Sequence, residues 1–287
     1  TIRALRESGY DILSMDAAVE RIRAGRPARP FAALTFDDGY RDNVQHALPV
    51  LRRHQAPFTL YVTTGFADRT GRLWWVKIEA AFRALDRVEV VIAGERFDLP
   101  AATDAQKSDS FRRLYWRLRE ESEELLLAVA AELADNAGLD RARLCADLCM
   151  DWSELAEIAA DPLCTIGAHS LTHSMLAKRG ADFARREMEE SRRVIEERLG
   201  RAVRHFAYPV GDPTSAGPRE FAMARELGFV SAVTTRKGMV FPDHCAHLTA
   251  LPRLSINGDF QNRAALDALL TGAPFWLMNF GRKLDVT

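Results

Sequence analysis

Short apolar runs that alternate with amphipathic segments constrain the fold of this chain more than any other feature. Phe31-Ala-Ala-Leu-Thr-Phe36 is a continuous apolar run of the kind a strand covered on both faces needs, and residues 43–54 follow it with helical spacing. Residues 58–63 repeat the strand signal, and residues 163–166 give another. A helix over 182–199 leads to a strand over 205–208, a helix over 218–227 leads to a strand over 229–234, and a last apolar run covers 248–256. Strands that alternate with helices predict an α/β fold with a parallel sheet, and about six or seven such units predict a barrel.

Residues 70–150 break this rhythm. A hairpin is expected over 88–99, turning at Gly94-Glu95, followed by a charged helical region over 111–137 that packs through Leu114, Trp116, Leu118, Leu125 and Leu126. The stretch reads as an insertion into one domain spanning residues 1–287.

A chain of 287 residues is long enough to bury about three quarters of its unfolded surface in one such fold. Its 39 Lys and Arg against 40 Asp and Glu leave no concentrated positive field, so neither nucleic acid nor an anionic membrane surface is an expected partner. The arginines of residues 185–198 are interleaved with Glu187, Glu189, Glu190, Glu196 and Glu197, which reads as a solvated helix face. Cys145, Cys149, Cys164 and Cys245 form no CxxC pair and read as buried or partly buried thiols. The longest apolar runs, 125–131 and 275–278, fall short of the roughly 18 residues of a membrane span. Residues 1–20 are charged and lack the apolar region of a signal peptide, so a soluble, cytoplasmic protein is expected.

Two segments carry the chemistry. In Thr35-Phe36-Asp37-Asp38-Gly39, two carboxylates end an apolar strand, a costly placement unless a cation or a reaction uses them. Adjacent side chains leaving a strand point different ways, so one can bind a metal while the other handles protons; alternatively both serve as turn or cap residues ahead of the next helix. A phosphatase with an aspartyl nucleophile would need a DxD arrangement, which is missing. In Gly167-Ala-His169-Ser-Leu-Thr-His173, again after a strand, two histidines stand four residues apart. On a helical turn they would face the same way, and with one carboxylate they would complete a three-ligand site with open positions for water.

The chain resembles the polysaccharide deacetylase family, the NodB-like carbohydrate esterases. TFDDG at 35–39 and HSLTH at 169–173 are similar to the family's first two motifs, and Phe206-Ala-Tyr-Pro-Val-Gly211 to its third; the resemblance covers most of residues 30–256. It implies a distorted (β/α) barrel with the site at the C-terminal strand ends. It also implies that Asp37 is the general base and that Asp38, His169 and His173 hold one divalent metal ion, zinc in the first place, with cobalt or nickel as alternatives. Aligned to the third motif, the backbone N–H of Val210 becomes the donor to the oxyanion, although the family more often has Tyr there.

Two departures stand out. The motif arginine that orients the catalytic aspartate aligns with Ala207, and Arg253, in Leu251-Pro-Arg-Leu254, is the expected replacement because a charge in that apolar run needs a partner. The motif carrying the general acid has no clear counterpart; His244 and His247 are candidates by position only, and Asp37 could shuttle the proton in both directions.

The activity implied is metal-dependent hydrolysis of the N-acetyl group of an N-acetylated sugar, in a polysaccharide or a lipid-linked oligosaccharide. Within the insertion, Trp74 and Trp75 are available to stack on a sugar ring. Deformylation of an N-formyl sugar would use the same residues. A non-catalytic carbohydrate-binding protein retaining the fold is the alternative from another class, motivated by the missing arginine and acid motifs. Asp37 weighs against it, since a pure binder has no use for a second carboxylate beside the ligand.

Overall fold

The computed structural model describes every residue except 26–28, 257–261, 280 and 287. It comprises two compact units, Thr1–Ala67 with Met150–Thr287, and Asp68–Cys149. Nine strands occur among the described residues: β1 (Asp11–Leu13), β2 (Phe31–Phe36), β3 (Phe58–Val62), β4 (Arg87–Ile92), β5 (Glu95–Pro100), β6 (Cys164–Ala168), β7 (His205–Ala207), β8 (Ser231–Lys237) and β9 (Leu251–Arg253). Seven of them form the first unit's sheet in the order β1-β2-β3-β6-β7-β8-β9, every neighbouring pair parallel.

The period of two along each strand separates two cores. Phe58, Leu60 and Val62 of β3, Cys164, Ile166 and Ala168 of β6, Phe206 of β7 and Ala232 of β8 face an outer core shared with the surrounding helices. The intervening residues Tyr61, Ala207, Val233 and Leu251 meet in an inner cluster with Phe31 and Ala33 of β2. Residues of β2, β3, β7, β8 and β9 can share one cluster only if the sheet curls, and the Arg253 guanidinium of β9 does reach Thr35 Oγ1 of β2 at 3.4 Å. The result is a seven-stranded parallel half-barrel. Its interior is filled in part by Met15, Val19 and Ile22 of helix Met15–Arg23, a stripe at helical spacing.

Close register between β3 and β6 depends on a glycine. Tyr61 pairs with Gly167, and a Cβ at 167 would lie 2.4 Å from the tyrosine ring and 3.0 Å from the His205 carbonyl oxygen. A residue with a Cβ fits there only by displacing the buried Tyr61 ring.

Several expectations are corrected in detail. β1 is three residues long and begins with a charge, too little to register as an apolar run. The helix expected over 43–54 is a π-turn, Asn43–Ala47, followed by an α-helix, Leu48–Arg53, which restarts where Pro49, lacking an N–H, can occupy a first turn. Of the run 248–256 only Leu251–Arg253 is strand. Cys145, Cys149 and Cys164 are buried, whereas Cys245 is exposed.

In the second unit β4 and β5 form an antiparallel hairpin that pairs Ile92 with Glu95. The turn therefore falls on Ala93 and Gly94, both at positive φ (50° and 84°), one position earlier than expected. Two helices, Asp104–Glu120 and Glu123–Asn136, replace the single expected region, each opened by a hydroxyl cap, Thr103 and Ser122. Leu114, Leu118 and Leu126 are buried as expected, but Leu125 is half-buried and Trp116 is exposed. Trp74 is buried and stacks on Tyr115, with centroids 5.2 Å apart, so its ring is part of this core and closed to a ligand; Trp75 is half-buried.

Candidate active site

The alternation that fills the barrel also aims the polar residues. Counting from Phe31 and Ala33, the inward positions of β2 continue to Thr35 and then Asp37. Likewise the outward Cys164, Ile166 and Ala168 make His169 inward, and the inward Leu251 is followed two residues later by Arg253. Asp38 would leave on the opposite side of an extended chain, but it adopts φ 71° and Gly39 follows at φ 73°. Two consecutive left-handed residues turn the chain abruptly, and Asp is among the residues that tolerate this. Both carboxylates thereby reach the same end of the barrel.

His169 Nδ1 lies 2.7 Å from the Ala207 carbonyl oxygen. Because a carbonyl only accepts, Nδ1 carries the proton and Nε2 keeps its lone pair, the tautomer that suits a metal ligand. Burial lowers the pKa of His169 and so favours the neutral ring, against the opposing pull of Asp37. The segment from 169 to 173 is a loop, which corrects the expected helical turn: Ser170 and His173 both have left-handed backbones, φ 65° and 60°. The Ser170 hydroxyl accepts from the His173 N–H at 2.9 Å, and Phe66 stacks on the His173 ring. Spacing of four residues brought the imidazoles together by a route other than a helix.

Nε2 of His169 and of His173 stand 3.5 and 3.3 Å from Asp38 Oδ1, and one ligand atom from each of the three residues lies within 4.8 Å of the others. Asp38 Oδ1 is buried and accepts no hydrogen bond among the described residues. Burial, reinforced by the Asp37 charge, pushes the Asp38 carboxyl well above the usual carboxylate range. A buried carboxylate oxygen without a donor among the described residues, facing the Nε2 atoms of two imidazoles, fits a divalent cation of the zinc type.

Asp37 is held differently. Arg253 Nη1 donates to Oδ1 and Nη2 to Oδ2, both at 2.7 Å, while its Nε donates to the Thr234 carbonyl at 2.8 Å. This two-pronged pairing fixes the carboxylate plane. Burial opposes ionisation of Asp37, but the Arg253 charge, with His169 and the Arg253 hydrogen bonds, outweighs it and holds the pKa at about 2. The Asp37 side chain keeps 26% exposure, so one face remains open. Ala207, aligned with the missing motif arginine, is fully buried in the inner cluster, and its carbonyl serves His169.

Val210 follows β7 with φ 61°, and its carbonyl accepts from Thr235 Oγ1 at 2.6 Å. Neighbouring Gly211, at φ 67°, lies so close to Thr235 N that a Cβ would sit 2.8 Å away, which keeps this turn tight. His244 and His247 are not brought to the site. His244 is buried, and its Nδ1 accepts from the Phe241 N–H at 3.0 Å within its own turn. His247 lines a separate small cavity of about 140 Å³ beside Phe221 and Val286.

One residue at the site escaped sequence reasoning. Glu187, read as part of a solvated face, is buried and accepts from the backbone of Leu171 and Thr172, between the two histidines. The signal was present: Ala184, Glu187, Met188, Ser191 and Ile195 form the buried stripe of helix Ala181–Leu199 at helical spacing.

Comparison with known proteins bears on the fold and the family. Among solved structures, the Streptococcus pyogenes deacetylase PplD, solved in complex with acetate, is 17% identical, with TM-score 0.59 over 93% of this chain and 83% of that one. IcaB from Ammonifex degensii is 18% identical, with TM-score 0.56 over 93% and 86%. The deacetylase domain of BpsB from Bordetella bronchiseptica is 18% identical, with TM-score 0.53 over 87% and 80%. At these identities the likeness shows the fold, a deacetylase-type (β/α) barrel. A search among curated proteins finds no match. The sequence profile of polysaccharide deacetylases matches residues 24–230, and the chain belongs to the polysaccharide deacetylase family.

Proposed function

We propose that this protein is a metal-dependent hydrolase that removes the N-acetyl group from a sugar unit of a polysaccharide or lipid-linked oligosaccharide. The observation that carries the reading is the Arg253-clamped Asp37 beside the Asp38, His169 and His173 cluster. Asp38, His169 and His173 hold one divalent ion, zinc first, with cobalt or nickel as substitutes. When bound, such an ion supplies Lewis acidity to a water molecule and to the acyl oxygen.

The chain's own groups do the rest. Asp37 accepts a proton from water as the water oxygen bonds to the acetamide carbon. A carboxylate held near pKa 2 is ionised at neutral pH but weakly basic, so the gain from Arg253 is orientation rather than basicity. The Val210 N–H is the donor assigned to the developing oxyanion. Among the described residues neither His244 nor His247 contacts the site, and Asp37 returns its proton to the amide nitrogen; the C–N bond then breaks, giving acetate and a free amino sugar. The Asp68–Cys149 unit is taken as an insertion within one catalytic domain.

The test is a panel of N-acetylated and N-formylated glycans assayed with zinc, cobalt and nickel, alongside metal analysis. Acetate release supports the reading. Formate release alone assigns a deformylase, and one bound metal with release from no substrate assigns a carbohydrate-binding protein.

A further inference from the structure

Glu187 sits on helix Ala181–Leu199 with 3% of its surface exposed. Its Oε2 accepts from the Leu171 N–H at 3.0 Å and the Thr172 N–H at 2.8 Å, and its Oε1 accepts from Thr172 Oγ1 at 3.0 Å. Among the described residues it pairs with no Lys, Arg or His. A buried carboxylate without a counter-ion is expensive, and it persists only where its hydrogen bonds are complete and useful.

Those bonds fall on the two residues that join His169-Ser170 to His173. The carbonyl groups of the same stretch are held from the other side by the segment that follows β3: Thr63 Oγ1 donates to the His169 oxygen at 3.0 Å, Thr64 N to the Ser170 oxygen at 3.3 Å, and Gly65 N to the Leu171 oxygen at 2.8 Å. The loop is therefore gripped through its carbonyls by residues 63–65 and through its N–H groups by Glu187. It needs both grips, because Ser170 and His173 carry left-handed backbones that side-chain-bearing residues disfavour and that last only where the surroundings over-determine them. Without an acceptor for the Leu171 and Thr172 N–H groups, the loop loses one of the two grips that keep the His173 ring 3.3 Å from Asp38.

We infer that Glu187 is a positioning residue for metal binding: it fixes the 169–173 loop so that His169 and His173 present their Nε2 atoms together with Asp38. This rests on the assignment of Asp38, His169 and His173 as metal ligands. Groups that orient metal ligands through hydrogen bonds are typically worth about 10- to 100-fold in metal affinity.

The test is the zinc Kd of the parent chain, Glu187→Leu, Glu187→Gln and Glu187→Asp, measured by competition with a chromophoric chelator, with metal-free thermal melting of each. Glu187→Leu is expected to bind zinc about 10- to 100-fold more weakly. Glu187→Gln keeps an acceptor oxygen, and its amide can donate to Thr172 Oγ1, so it should stay within about threefold of the parent. An anchor that merely attached the helix would lower the melting temperature of metal-free and zinc-loaded protein equally and leave Kd alone. If Glu187→Leu does not fold, Glu187→Asp decides: its carboxylate is drawn back by one methylene and should bind zinc several-fold more weakly. A folded Leu or Asp variant within twofold of the parent overturns the inference. A parent that takes up no zinc overturns the ligand assignment itself.

Discussion

Asp37 and Asp38 are neighbours in sequence with opposite electrostatics. Asp37 is kept ionised by Arg253, whereas Asp38 Oδ1 lies buried without a hydrogen-bond donor among the described residues, and ionisation of that carboxyl is disfavoured until a cation is present. Arg253→Ala should lower turnover by about 100-fold, the cost of a small misplacement of a reacting group, with metal content unchanged. Arg253→Lys should recover little of that loss, since an ammonium cannot reproduce the paired contact. Steady-state kinetics with metal analysis on the same samples checks both, and parental turnover in Arg253→Ala would remove the orienting role. At this scale the carboxylates and imidazoles were legible because such residues seldom end apolar strands without a use. Arg253 was legible because its charge interrupts an apolar run. Glu187 was obscured by the surrounding Arg and Glu residues, although it falls on the buried stripe of its helix.

Two elements set the position of His169. One is the β3–β6 register, which packs Tyr61 against Gly167. Gly167→Ala should destabilise the protein by about 1–3 kcal/mol through overpacking, read by chemical denaturation. The other is the start of β6, where Asp161 accepts from Arg52 Nε at 2.6 Å and from the Leu163 N–H at 2.9 Å. Burial opposes ionisation of Asp161, but these bonds outweigh it and depress its pKa. A carboxyl whose folded pKa is depressed contributes stability above its unfolded pKa of about 3.9, and that contribution is lost as pH falls through the lower folded value. Asp161→Asn should therefore cost about 1–2 kcal/mol at neutral pH, and the gap to the parent should close as the solution is acidified through and below pH 4 or so. An undiminished gap in acid would show that shape rather than charge matters there. The strands of the sheet were legible from apolar runs, with the exception of the short β1. The histidine loop was not, because residues four apart fit a helical turn as well as a loop, and nothing marks Ser170 or His173 as left-handed.

Across the whole molecule, alternation of strand and helix made the parallel sheet legible, and curling follows from side chains of β2, β3, β7, β8 and β9 meeting in one interior. The residues between Ala67 and Met150 stood out by their break in rhythm, but their division into a hairpin and separate capped helices depended on caps at Thr103 and Ser122 that a hydrophobic pattern does not display. Among the described residues no helix is long and apolar enough to cross a membrane. Under the proposed function, a metal held by the turn after β2 and the loop after β6, the strands on either side of β3, ties two segments of the barrel end together, so its removal should be felt in stability. At a free concentration about 100 times Kd, a ligand that binds only the folded state adds about 2.7 kcal/mol. Chelation should lower the melting temperature and zinc should restore it, while Asp38→Asn should melt at the same temperature with and without zinc.

The most direct measurement pairs metal content with acetate release from N-acetylglucosamine oligomers for the parent, Asp37→Asn and Asp38→Asn. The parent should hold one equivalent of divalent metal and release acetate. Asp37→Asn should keep the metal and lose about two to four orders of magnitude in turnover, the usual worth of a general base, whereas Asp38→Asn should lose the metal. Metal retained by both variants, or lost from both alike, would contradict the division of labour between the two carboxylates.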